Sequence, residues 1–123
     1  MFRTDTKEKK NFFINREIII SAFSHQLSIN FLQLAKTEIE TEKKRNLLLQ
    51  AKSCAEKQII FSSEMQPFNC VNQSGHYFQL ASVLRELARI ELNKQNKIDV
   101  LNQAADSMRR CLEQIQKRKK IFS

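Results

Sequence analysis

Gly75 and Pro67 are the only glycine and proline among 123 residues, and that scarcity of turn-formers decides the fold class. An all-β chain reverses direction about every ten residues and needs Gly, Pro, Asn or Asp at the reversals. Here Leu, Ile, Gln, Lys and Glu are abundant instead, all good helix formers or readily accommodated in helices. The chain is therefore expected to be all-α: two helical hairpins, about four helices, in a four-helix bundle or a short stacked array. At this length it forms one domain and folding hides roughly two thirds of its extended surface.

Residues 18–35 carry no formal charge when His25 is neutral. At helical spacing Ile20, Phe23, Leu27, Phe31 and Leu34 form one stripe, while Ile18, Ala22, Ile29 and Leu32 form a second on another side. A helix apolar on two sides is expected to have neighbours on two sides, which makes this segment the central rod of the assembly. The second stripe is the candidate surface for a partner or for self-association. The stretch matches a membrane span in length, but Ser21, Ser24, His25, Gln26, Ser28, Asn30 and Gln33 interrupt it, so membrane insertion is not expected. The N-terminus lacks the apolar run of a secretory signal, and Cys54, Cys70 and Cys111 are scattered and odd in number. Those features suit a soluble protein of a reducing intracellular compartment, the cytoplasm.

In chain order, residues 1–10 read as a polar arm, with weak capping-box spacing at Asp5 and Glu8. A single helical domain over 11–120 follows. Its first hairpin covers about 11–64, with a break expected in the charged patch at 41–45. Leu47, Leu48, Ala51, Cys54, Ala55, Ile59 and Ile60 supply the second helix, which ends before Pro67. Residues 65–74 are the loop, holding Phe68, Cys70 and Val71. The second hairpin covers about 75–118. Leu80, Val83, Leu84, Leu87, Ala88 and Ile90 share one face of its first helix. Asn93 to Lys97 make its turn. Ile98, Leu101, Ala105, Met108, Leu112 and Ile115 then alternate spacings of three and four, and Val100, Ala104 and Cys111 widen the stripe toward packing inside a bundle. A basic tail occupies 117–123.

Sliding the chain by 53 residues lays Ala35–Ile39 on Ala88–Leu92 and Leu48–Ala51 on Leu101–Ala104 without a gap, the pattern of two consecutive hairpins. Leu84, Leu87 and Ala88, with Ala104, Met108 and Cys111 following at spacings of four and three, make residues 77–116 resemble a tetratricopeptide repeat. The chain departs from that pattern in a longer separation between the two sets, in Glu91 at the expected aromatic, and in having no terminal proline. The resemblance implies a protein or peptide binder with a groove lined by first-helix side chains. A plain four-helix bundle accounts for the same positions.

Catalytic and metal motifs are missing from the sequence. One glycine cannot build a phosphate-binding loop, and neither a His-Glu-x-x-His nor a paired-cysteine motif occurs; no enzyme activity, cofactor, metal or small-molecule substrate is expected. Cys70 and His76 are near in sequence, and the plainer reading is a partly buried thiol beside a surface histidine. His25 reads as a buried neutral imidazole hydrogen-bonded to a neighbour. Tyr77 and Phe78 are the aromatics most open to exposure. The net charge of +8 is uneven, with Arg109, Arg110, Lys117, Arg118, Lys119 and Lys120 against Glu113 giving +5 over residues 109–123. Cations at a helix end complement its macrodipole, and they also attract acidic proteins or nucleic acid in a salt-dependent way. The expected function is a non-enzymatic protein–protein interaction module, small subunit or adaptor that meets a protein partner or a second copy of itself, with a basic end suited to an acidic partner. The alternative is a nucleic-acid-binding accessory protein using the same basic cluster.

Overall fold

A computed structural model describes residues 5–64 and 73–122, with side chains for residues 19, 20, 22–63 and 74–117. The expected loop residues Pro67, Phe68, Cys70 and Val71 lie outside this set. Four helices follow one another: α1 (Asp5–Thr37), α2 (Thr41–Glu64), α3 (Gln73–Ile90) and α4 (Lys94–Phe122). The all-α, two-hairpin expectation holds. Residues 5–10, expected as a polar arm, are the first turns of α1, and the expected basic tail continues α4 to Phe122.

The first turn falls at 38–40 rather than 41–45. Glu38 donates its backbone N–H to the carbonyls of Leu34 and Ala35, closing α1, and the Glu40 carbonyl accepts Lys44 N–H at 2.9 Å, opening α2. The charged patch thus starts a helix, with Glu42 in the first turn where the macrodipole favours an anion. The second turn, expected at 93–97, falls at 91–93, with Lys94 to Lys97 already in α4, and it repeats the first 53 residues later. Glu91 N–H bonds the Ala88 carbonyl, and the Asn93 carbonyl accepts Lys97 N–H at 2.9 Å. The Glu38 carboxylate accepts the N–H of Glu40, and the Glu91 carboxylate that of Asn93. Asn93 also caps α4, its Oδ1 accepting Asn96 N–H at 2.9 Å. Ile39 and Leu92, at the apex of the two turns, are both 96% exposed.

The hairpins lie side by side in an open order. α1 packs on α2, α2 on α3 and α3 on α4, with a light contact between α1 and α3; among the described residues α4 approaches no helix but α3. A closed four-helix bundle returns its last helix to its first, and this one does not. The central helix is therefore α3, and α1, expected as the central rod, stands at one edge. The core joins Leu32 and Ala35 of α1, Leu48 and Ala51 of α2, and Val83, Leu84 and Leu87 of α3, with Val100 and Ala104 of α4 against it. Arg45 bridges α2 to the second turn through Glu91 at 3.2 Å.

Small side chains decide which face of α1 turns inward. Ser24, Ser28 and Ala35 of α1 and Ala51, Ala55 and Ser62 of α2 are buried, so the two helices meet at small residues and their backbones come close. Ser28 Oγ donates to the Ala51 carbonyl at 2.8 Å and accepts from Gln79 Nε2 at 3.2 Å. Ser24 and Ser28, which look like interruptions of an apolar run, are core residues, and the Ser28 hydroxyl is satisfied as both donor and acceptor.

Candidate interaction surfaces

With the small residues inside, the large ones face outward. Among the described residues only five buried hydrophobic side chains exceed alanine or cysteine in size, namely Leu32, Leu48, Val83, Leu84 and Leu87, whereas fourteen large hydrophobics are exposed. A self-contained domain of this size buries the larger share of such residues. The exposed ones are not scattered.

On α1, Ile19, Phe23, Leu27 and Leu34 make one outward stripe, with Phe23 at 66% exposure. The stripe expected from Ile20, Phe23, Leu27, Phe31 and Leu34 is real, but it faces solvent except at half-buried Ile20 and Phe31. The set proposed for self-association is not one surface: Leu32 is in the core, Ile29 is half-buried, Ala22 is exposed, and the Ile18 side chain lies outside the described residues.

On α4 the correction is larger. Ile98, Leu101, Ala105, Met108, Leu112 and Ile115, expected to pack within the bundle, are all exposed, while Val100, Ala104, Ser107 and Cys111 turn toward α3. A helix rotates 100° per residue, so the two sets occupy adjacent flanks of α4. Beside the outer flank, Phe78, Ala81, Ser82 and Arg85 of α3 and Leu101, Ala104, Ala105 and Met108 of α4 line a mostly apolar groove. Phe78 is 54% exposed and Tyr77 half-buried, so only one of the two aromatics suggested by the sequence is open.

The opposite flank of α3 carries a cleft between α2 and α4 lined by Glu56, Ile59, Ile60, Tyr77, Leu80, Asp106, Ser107 and Arg110. Arg110 is engaged there. Its guanidinium is held charged by the Tyr77 hydroxyl and by Asp106, 3.3 Å away. Arg109 and Lys117 are exposed, and the side chains of Arg118, Lys119 and Lys120 lie outside the described residues. Four consecutive helical positions, 117–120, spread around the helix instead of sharing a face. The basic cluster is thus a charged helix end, with Arg110 committed to its own chain.

Both histidines of the chain meet where α1, α2 and α3 converge. Their ring centroids are 5.6 Å apart at an interplanar angle of 47°. His25 Nδ1 lies 3.0 Å from Gln58 Oε1, an acceptor, so Nδ1 carries the proton. His76 Nδ1 lies 3.2 Å from Ser62 Oγ. Ser62 spends its one proton on the Ile59 carbonyl at 3.0 Å, so it accepts from His76 Nδ1–H. His25 is hydrogen-bonded to a neighbour as expected, but it is half-buried rather than buried. His76 departs from its expected surface position: it is 5% exposed, and burial, with His25 alongside, lowers its pKa to about 4. No group of three or more His, Cys, Asp or Glu side chains arranged to hold a metal ion occurs among the described residues, and none of the helices searched is long and apolar enough to cross a membrane. Cys70, paired with His76 in the sequence reading, is outside the described set.

The outward α4 stripe could have been read from the sequence only as a face that something covers. The His25–His76 contact was latent in the three-helix junction and had no local signal. Comparison of the chain with protein-family models, with curated proteins and with solved structures finds no match.

Proposed function

We propose that this chain is a helical protein–protein interaction module, a small subunit or adaptor without catalytic activity of its own. The carrying observation is the apolar flank of α4, Ile98 to Ile115, left open beside the α3/α4 groove. Grooves between helices accept amphipathic helices through anchors repeated at helical spacing, and this groove offers Phe78, Leu101 and Met108 as the partner-facing anchors. The open side-by-side order of the hairpins supports the reading, since stacked helical hairpins present extended surfaces to partners. Arg85 within the groove and Arg109 nearby on α4 favour a partner segment with acidic or polar residues at its margins. Binding of an anilinonaphthalene dye tests the accessibility of this surface. The folded wild-type protein should bind it, and Met108→Glu should reduce binding while leaving the helical circular dichroism unchanged. A compact protein that binds no dye contradicts the proposal.

A further inference from the structure

The 53-residue correspondence joins the two edges of the molecule. In the first hairpin, the groove between α1 and α2 is filled by α3: the His76 ring packs tilted against His25, Gln79 bonds Ser28, and Val83, Leu84 and Leu87 pack on Leu32, Leu48 and Ala51. The groove between α3 and α4 is the same site one hairpin later. Phe78, Ala81 and Arg85 stand 53 residues after His25, Ser28 and Leu32, and Leu101, Ala104 and Met108 stand 53 residues after Leu48, Ala51 and Ala55. In the first hairpin these positions are buried except for half-buried His25; in the second, Phe78, Arg85, Leu101 and Met108 are exposed, above buried Ala81 and half-buried Ala104.

The other edge supplies the complement. The face with which α3 fills the first groove is His76, Gln79, Leu80, Val83 and Leu87; 53 residues earlier stand Phe23, Gln26, Leu27, Asn30 and Leu34. All five are exposed, while Phe31, 53 residues before Leu84, is half-buried. One edge thus displays an inserting face and the other a receiving groove, and the chain's internal junction shows how such a face and groove fit. We infer that the occupant of the α3/α4 groove is α1 of a second copy, so that copies stack head to tail by repeating the step that relates the two hairpins. This rests on the interaction-module reading and names its partner.

Residue chemistry agrees at matched positions. The His25–His76 pair becomes Phe78 against Phe23 of the second copy, two aromatic rings where the internal junction has two imidazoles. Gln26 takes the place of Gln79; Ala81 stands where Ser28 accepts from Gln79, so that bond has no counterpart between copies, and Gln26 bonds Asn30 of its own helix instead. Where Leu32 and Val83 share the internal core, the junction between copies has Arg85 and Asn30, a change to polar character on both sides together. Such a contact is heterologous, and growth is open-ended unless the stack closes into a ring.

The mixing experiment separates this geometry from a symmetric dimer. Phe23→Glu disables the inserting edge and Phe78→Glu the receiving edge; both positions are exposed, and circular dichroism confirms that each variant is folded. Sedimentation velocity should show wild-type chains lengthening with concentration from the micromolar to the submillimolar range. Each variant alone should associate about tenfold more weakly or worse, and an equimolar mixture should form a dimer that grows no further, joined by the one intact edge of each. A Phe23→Glu or Phe78→Glu variant that associates like wild type overturns the inference, as does a mixture that stays monomeric. A wild-type protein that remains monomeric throughout, yet binds the dye at a site lost in Phe78→Glu, removes the second copy as occupant and leaves the interaction module standing. Loss of dye binding as well overturns both.

Discussion

Acid should loosen the three-helix junction through His76, by an amount that follows from its burial. The imidazole titrates at about 6.5 when unfolded and at about 4 in the folded protein. Between those values the unfolded chain binds the extra proton, so stability falls as pH falls. The contribution of neutral His76 is fully present above about pH 6.5; it is lost progressively below that and exhausted near pH 4. Linkage arithmetic gives a loss of about 2 kcal/mol by about pH 5, and at most about 3 kcal/mol in total. Water reaching the charged ring reduces these figures. The Ser62 bond survives protonation, because His76 already donates from Nδ1; the cost is a desolvated charge beside His25. His76→Gln keeps an N–H donor for Ser62 and cannot titrate. Urea denaturation of both proteins from pH 7.5 to 4.5 isolates the effect, since His25 and the carboxylates are common to both. The wild type should lose stability more steeply, and parallel pH profiles would refute the burial argument.

Three further outcomes follow from the packing and charge. Leu48 is fully buried in the core, and Leu48→Ala should cost about 2–5 kcal/mol in chemical denaturation. Ser28→Ala leaves the buried Gln79 amide without its acceptor and should cost about 1–3 kcal/mol, measured the same way. Replacing Lys117, Arg118, Lys119 and Lys120 together by Gln should lower the salt concentration at which the protein leaves a heparin column, with association between copies unchanged. An unchanged elution position would show that this helix end does not carry the polyanion attraction.

The sequence made the class, the helix count and the inner face of α3 legible. Leu80, Val83, Leu84, Leu87 and Ala88 are large or small apolar residues on a helix covered from several sides, where hydrophobic periodicity and burial coincide. They part company at α1 and α4. A clean stripe such as Ile98 to Ile115 shows that a face is made to be covered, and says nothing about whether this chain or another covers it. Ser24 and Ser28 were obscured for the opposite reason. Their polarity suggests exposure, but their size allows α1 to approach α2 closely, and Ser28 returns its proton to the Ala51 carbonyl. His76, next to the sole glycine at the start of α3, looked like a surface residue because its partners, Ser62 and His25, are distant in sequence. The 53-residue offset was the most informative feature of the chain. It pairs the two turns, at 38–40 and 91–93, both of which fall earlier than the charged and polar patches at 41–45 and 93–97 suggest, and it aligns the open groove with the filled one.

The claim that the open edges of the molecule are matching halves of one junction is tested most directly by a photo-cross-linker in place of Phe78. Heavy- and light-isotope chains are mixed so that adducts between copies are distinguished by mass. The account predicts isotopically mixed adducts from position 78 to α1 of the other copy, centred on Phe23 and Leu27. Adducts confined within single chains, or mixed adducts that join position 78 to α3 or α4 of the other copy, would contradict it.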